Sequence, residues 1–335
     1  MLNGTEWVAV AWAPFSRRSE MFARELGGPL HCIHYLKFRS KPHAPLKYAM
    51  QSVTTMRRLL RERPRAVHVQ SPPFLCGLVV AAYCRMRGAA FVVEYHSAAF
   101  EPFWRWAEPF QRFVARRAAA NIVTSDHWAE IVRSWGGEPI VMYDAFLDLP
   151  AGTPYEVGPG PNVAFVSTFA EDEPVAEVLE AAARLPDVHF YVTGDTAKAP
   201  PETLAAAPRN VTFTGFLDPN TTYLGLLRSV DAAIVLTTRD HTLQLAGCEA
   251  ISVGTPIITS DWPYLRRLFA YGAEFVEPDA ASIRNGVTRA LGRLDELRRG
   301  TEVLTRIRRA EWRSRLEELN AMVAVRRGAV ATTTA

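Results

Sequence analysis

The stretch Ala232–Asp261 reads AAIVLTTRDHTLQLAGCEAISVGTPIITSD, and the order of its residue types decides the architecture. Ala232–Thr237 is a short apolar run that predicts a buried strand. Thr238–Thr242 is polar and predicts a loop. From about Leu243 to Val253 the residues predict a helix, Gly254 supplies the stop, and Pro256–Thr259 opens the next strand. In sheets built this way, the loop at the carboxyl end of a parallel strand is where ligands bind. This loop leads into a helix N-terminus, whose free N–H groups suit a diphosphate. Glu249, two turns into the expected helix, is placed to accept hydrogen bonds from the two hydroxyls of a ribose.

The same alternation extends outward. In the first half the strand-like runs are Trp7–Ala13, Cys32–Tyr35, Ala66–Val69, Ala90–Tyr95, Asn121–Thr124 and Pro139–Met142. In the second half, beside the two already given, they are Asn162–Ser167, Val188–Thr193, Val211–Gly215 and Ala273–Val276. Continuous apolar runs separated by helix-length segments predict parallel sheets covered on both faces, and two series predict two doubly wound domains. Between them, Asp148–Pro161 is rich in proline and glycine and predicts a linker. Val175, Val178, Leu179, Ala182 and Leu185 fall at helical spacing; Asp172 is the expected cap, Pro174 the expected first-turn residue and Pro186 the stop. Arg326–Ala335 is expected to be a disordered tail.

Composition narrows the class. A chain of 335 residues suits two domains, and 48 % apolar against 22 % charged residues is an ordinary globular balance. A net charge of +3 gives no reason to expect nucleic acid. Cys32, Cys76, Cys84 and Cys248 lack CxxC spacing and paired histidines, which predicts neither zinc nor disulfides and fits a reducing cytosol. No signal peptide and no membrane span are expected. GxGxxG, GxxxxGK(S/T) and GxSxG are missing, which lowers dinucleotide oxidoreductase, P-loop and serine hydrolase readings. Glu171–Asp172–Glu173 reads as a helix start with favourable charge rather than as a metal motif.

The run Glu249–Ala250–Ile251–Ser252–Val253–Gly254–Thr255–Pro256–Ile257–Ile258 resembles the E-A-x-x-x-G-x-P-V-I signature of retaining family 4 glycosyltransferases of the GT-B fold. The resemblance covers roughly residues 160–280 well and the first domain more loosely. It implies an α/β GT-B enzyme, with two Rossmann-like doubly wound parallel-sheet domains facing a cleft. Residues 1–152 would bind the acceptor and 160–300 a nucleotide-sugar, and helices in 301–325 would cross back onto the first domain. It also implies sugar transfer with retention, without a cofactor or bound metal. Glu249 would hold the ribose as the second Glu of a Glu-x7-Glu motif.

Two departures from that pattern stand out. The first Glu of the motif falls on His241, beside Asp240. The family's Arg and Lys after the first strand of the second domain are missing from Ser167–Glu173, which is acidic. The diphosphate then needs its counter-charge from Arg239, or from Arg17 and Arg18 in the first domain, where Ser19 is the expected helix cap. His96, at a carboxyl strand end, matches a family histidine that faces the donor sugar. The expected donor set is therefore Arg17, Arg18, Ser167, Thr168, Gly194, Gly215, Arg239, Thr242, Leu243 and Glu249. His96, Asp240 and His241 are the expected catalytic groups. Two alternatives stay open: a non-catalytic sugar-nucleotide-binding subunit and a sugar-nucleotide epimerase.

A basic group (Lys37, Arg39, Lys41, Lys47, Arg57, Arg58, Arg61, Arg63, Arg65) precedes an aromatic one. The aromatics are Phe100, Phe103, Trp104, Trp106, Phe110 and Phe113, interleaved with Arg105, Arg112, Arg116 and Arg117. Together they suit an anionic membrane surface and a carbohydrate or lipid-linked acceptor. That reading places the protein in the cytoplasm, peripheral on the inner face of the plasma membrane, in bacterial polysaccharide or glycolipid synthesis.

Overall fold

The computed structural model describes residues 6–36, 42–143, 146 and 148–333, and the backbone alone for 329–333. Lys37, Arg39 and Lys41 of the basic group lie outside the described residues. The chain divides into two compact units, one of Met1–Tyr143 with Trp312–Ala335, the other of Asp144–Glu311.

The first unit is a six-stranded sheet: β1 (Trp7–Ala11), β2 (Leu30–Cys32), β3 (Ala66–Ser71), β4 (Ala90–Tyr95), β5 (Ala120–Val123) and β6 (Pro139–Val141), ordered β2-β1-β3-β4-β5-β6. Every ladder is parallel. The connecting helices are α1 (Arg17–Glu25), α2 (Ala44–Glu62), α3 (Phe74–Arg87), α4 (Glu108–Ala115) and α5 (Asp126–Ser134). β4 is buried at every residue, as a central parallel strand must be when helices cover both faces. The second strand lies earlier than the expected Cys32–Tyr35. The cap of α1 is Ser16, whose side chain accepts from the Ser19 N–H. Ser19 itself is buried inside the helix, and its hydroxyl donates to Gln70 at 3.1 Å.

The second unit repeats the plan with β7 (Asn162–Phe165), β8 (His189–Thr193), β9 (Val211–Gly215), β10 (Ala232–Val235), β11 (Ile257–Ser260) and β12 (Ala273–Val276), ordered β12-β11-β10-β7-β8-β9. Strand alternation sorts its core. Val163, Phe165, Phe190 and Val192 pack with α6 (Val175–Ala183) and α11 (Ala280–Gly292) on one face. Ala164 and Tyr191 turn to the other face, against Leu226 of α8 (Thr222–Ser229). Three short helices complete the unit: α7 (Pro201–Ala205), α9 (Leu245–Ser252) and α10 (Pro263–Leu268). Residues 148–161 form neither helix nor strand.

Two expected helix details change. Pro174, not Asp172, occupies the cap of α6, and no side chain caps it. Asp172 instead accepts a hydrogen bond from the Thr237 hydroxyl at 2.6 Å. The last helix, α12, runs from Leu294 to Thr333, where the sequence reading places a disordered tail from Arg326. Its Trp312 is buried against Phe22 of α1, with ring centroids 5.0 Å apart.

Candidate active site

In the second unit the strand order reverses between β7 and β10, the first strand of the unit and the first of its second half. At such a reversal the loops leaving two neighbouring strands diverge and open a crevice at their carboxyl ends. The loop after β7 carries Ser167 and Thr168; the loop after β10 carries Arg239, Asp240, His241, Thr242 and Leu243 and enters α9.

Hydrogen bonds join these loops into one surface. The Thr238 N–H donates to the Asp172 carbonyl at 2.8 Å, beside the Asp172–Thr237 side-chain bond. Thr237 N–H donates to Ser260 Oγ at 2.9 Å, and the Trp262 indole donates to the Thr237 carbonyl at 3.1 Å. The carboxyl ends of β7, β10 and β11 are thereby tied together. Toward β8 and β9, Gly194 N–H donates to the Gly215 carbonyl at 3.1 Å. Gly194 has φ +113°, and a Cβ there would stand 2.6 Å from the Ser167 carbonyl oxygen. Only glycine allows that approach. Ser167, Thr168, Gly194 and Gly215 are thus brought together.

The acidic loop after β7 has an internal use that sequence reasoning missed. Glu173 folds back over it. One carboxylate oxygen accepts from Ser167 Oγ (2.6 Å), Thr168 N (2.8 Å) and Ala170 N (3.2 Å), and the other from Thr168 Oγ1 (3.0 Å). Phe169 takes a left-handed φ of 57° at the centre of the turn. The loop therefore already encloses an anion of its own.

Glu249 sits one turn into α9, since that helix begins at Leu245 rather than at about Leu243. Its carboxylate is half-buried and is oriented by Tyr223 of α8, whose hydroxyl donates to Oε2 at 3.1 Å. No side chain caps α9, so the Gln244 turn leaves its first N–H groups to other acceptors. In the loop before it, Asp240 Oδ1 accepts the His241 N–H at 2.6 Å, and the His241 ring stands 6.4 Å from that of Tyr264. Arg239 is exposed.

In the first unit the expected residues separate. His96 follows β4 and its side chain is about one-third exposed. Arg17 faces Glu20 at 3.6 Å. Arg18 does not point outward for a phosphate. It is buried, pairs with Glu94, and donates to the Met142 carbonyl at 2.8 Å. Glu94 is the second group missed. It is fully buried on β4, with His68 Nε2 and His96 Nε2 each 3.1 Å from its carboxylate. Burial works against its charge. The neighbouring His96 and Arg18, with polar contact from both histidines, prevail and hold the carboxyl well below the usual carboxylate range. The signal was present as Glu94-x-His96, two positions that share one face of a strand.

Residues 4–142 match the glycosyl transferase 4-like domain, and residues 160–293 match the glycosyl transferases group 1. No curated protein matches the chain by sequence. Among solved structures, a sucrose-phosphate synthase from Thermosynechococcus elongatus is similar, with 16 % identity and a TM-score of 0.69 over 98 % of this chain and 100 % of that one. HepE of Anabaena, solved in complex with UDP and glucose, has 12 % identity and a TM-score of 0.64 over 98 % and 99 % of the two chains. A glycosyltransferase from Rickettsia africae has 11 % identity and a TM-score of 0.59 over 97 % and 98 %.

Proposed function

The chain belongs to the group 1 glycosyltransferases of the GT-B fold, and we propose that it transfers a sugar, with retention, from a nucleoside-diphosphate-sugar held by the second unit. The observation that carries this reading is Glu249. Its carboxylate stands one turn into α9, is aimed by Tyr223, and adjoins a loop at the strand-order reversal. A carboxylate so fixed accepts two ribose hydroxyls, while the uncapped start of α9 and Arg239 face the diphosphate. Stabilising the leaving diphosphate is then an electrostatic task for dipole and guanidinium. Structures of HepE with UDP support a nucleotide of that kind.

The acceptor we propose is a carbohydrate or lipid-linked hydroxyl at an anionic membrane surface, in polysaccharide or glycolipid synthesis on the cytoplasmic side. Exposed Phe103, Trp106, Phe110 and Phe113 beside Arg105 and Arg112 support that surface. Among the described residues no helix is long and apolar enough to cross a membrane.

One observation favours a second reading, a nucleotide-binding partner subunit without activity. Glu173 occupies the amides of the β7 loop, where the resemblance places a basic pair. Calorimetry with UDP and a transfer assay distinguish the two. Glu249→Ala should weaken UDP binding about tenfold or more, and Tyr223→Phe by less, since the first removes a charged acceptor and the second only its orientation. Unchanged affinity in Glu249→Ala would remove this residue from the site. UDP binding by wild type with no transfer to any acceptor would favour the subunit.

A further inference from the structure

The face of the first sheet that lies under α1 carries a polar seam within an apolar core. β3 and β4 pair with His68 opposite Val92 and Gln70 opposite Glu94, so His68, Gln70, Glu94 and then His96 share that face. The intervening residues of β4, Phe91, Val93 and Tyr95, turn to the apolar cluster on the other face. From α1, Ser19 meets Gln70 and Arg18 meets Glu94. Phe22 stacks on the His68 ring at 4.7 Å and touches Trp312. The seam is therefore closed at its lower end. It reaches the surface at His96, past the carboxyl end of β4.

Glu94 is shared among three cationic or polar partners. Its Oε1 faces Arg18 Nε and His96 Nε2; its Oε2 faces His68 Nε2. Each of these ring nitrogens stands 3.1 Å from the carboxylate and has no other hydrogen-bond partner. His96 Nε2 is fully enclosed, and the exposure of the side chain belongs to the rest of the ring. A neutral imidazole carries one proton, on one nitrogen or the other. An Nε2 lone pair set against a dry carboxylate would oppose two acceptors and leave the enclosed ring nitrogen without a partner. A proton on Nε2 removes that opposition. Arg18 already matches the charge of Glu94, so the neutral ring suffices.

We propose that Glu94 is a positioning residue that holds His96 as its Nε2–H tautomer, so that Nδ1 is the acceptor offered to a substrate hydroxyl. His68 closes the other side of the carboxylate and keeps water from it. The direction of the hydrogen bond is the consequence: His96 takes one from a sugar hydroxyl and gives none. This rests on His96 as a substrate contact, so the first test does not depend on turnover.

Full-length protein labelled with 15N-histidine is examined by NMR at about pH 8, above the ordinary imidazole range. His96→Asn identifies the His96 signals. The expected wild-type spectrum shows a pyridine-like Nδ1 and a pyrrole-like Nε2 for His96. The reverse pattern, or the averaged shifts of a free imidazole, overturns the proposal. Glu94→Gln, whose amide can donate as well as accept, should abolish the preference. It should also lower kcat about tenfold, the loss of one hydrogen bond in the transition state, with little change in KM for the donor. A Glu94→Gln protein with the wild-type tautomer and kcat overturns the role of Glu94. If that variant does not fold, the wild-type spectrum alone decides. A His96→Asn enzyme that transfers at the wild-type rate removes the reading on which the inference rests.

Discussion

Arg239, Asp240 and His241 are neighbours in sequence with separate tasks in the structure. His241 holds a left-handed φ of 55°, costly for a residue with a Cβ, and Asp240 accepts its backbone N–H. Those two form one bent unit, whereas Arg239 extends from it at the surface. Arg239→Ala is therefore expected to weaken binding of free nucleoside diphosphate about tenfold or more, the worth of a charge-assisted hydrogen bond. Asp240→Ala and His241→Ala should chiefly lower the transfer rate and leave that affinity nearly intact. Calorimetry beside steady-state kinetics separates the classes; three variants with wild-type behaviour would make the loop a structural turn. Glu249 was legible because its helix and stop glycine are local features. Its partner Tyr223 was not, because 26 residues separate them. The same holds for Arg18 and Glu94, 76 residues apart. An arginine near a strand end reads as a phosphate ligand until its buried carboxylate is known.

At the scale of elements, alternating runs were readable because a strand buried on both faces has no polar side to interrupt it. Aromatic residues were less so. Phe103, Trp106, Phe110 and Phe113 fall at helical spacing, which commonly marks a core stripe. Here Gln111, Val114 and Ala115 face inward, and the four aromatics are between 44 % and 63 % exposed. Phe74 and Trp104 pack behind them. Such a raised aromatic ridge suits the headgroup region of a bilayer. Replacing Phe103 and Trp106 together with Ser should reduce sedimentation with anionic vesicles while the melting temperature stays unchanged. Higher salt should reduce it further, because exposed charge is screened. Arg57, Arg58 and Arg61 lie on α2, and Arg58 is already bonded to His31 at 2.8 Å. Their conversion to Gln is the companion test. Wild-type protein that ignores vesicles at low salt would exclude the membrane surface.

For the whole molecule, two cores in two units imply two unfolding events. A ligand that binds one folded unit raises that unit's transition, by about 2.7 kcal/mol at a hundredfold excess over Kd. UDP should therefore shift one calorimetric peak, and Glu249→Ala, binding about tenfold more weakly, should cut the shift to about half or less at the same UDP concentration. Trp312→Ala should lower the other peak, with a cost of about 3–5 kcal/mol for emptying a buried aromatic site. Both changes falling on a single peak would show that the units melt as one. The first unit is also discontinuous in sequence: Trp312, which covers Phe22, is encoded after every residue of the second. On the ribosome, then, the unit that is begun first is completed last. Phe22 waits without its Trp312 cover through the synthesis of the whole second unit, and a chaperone that recognises nascent apolar segments would find it there.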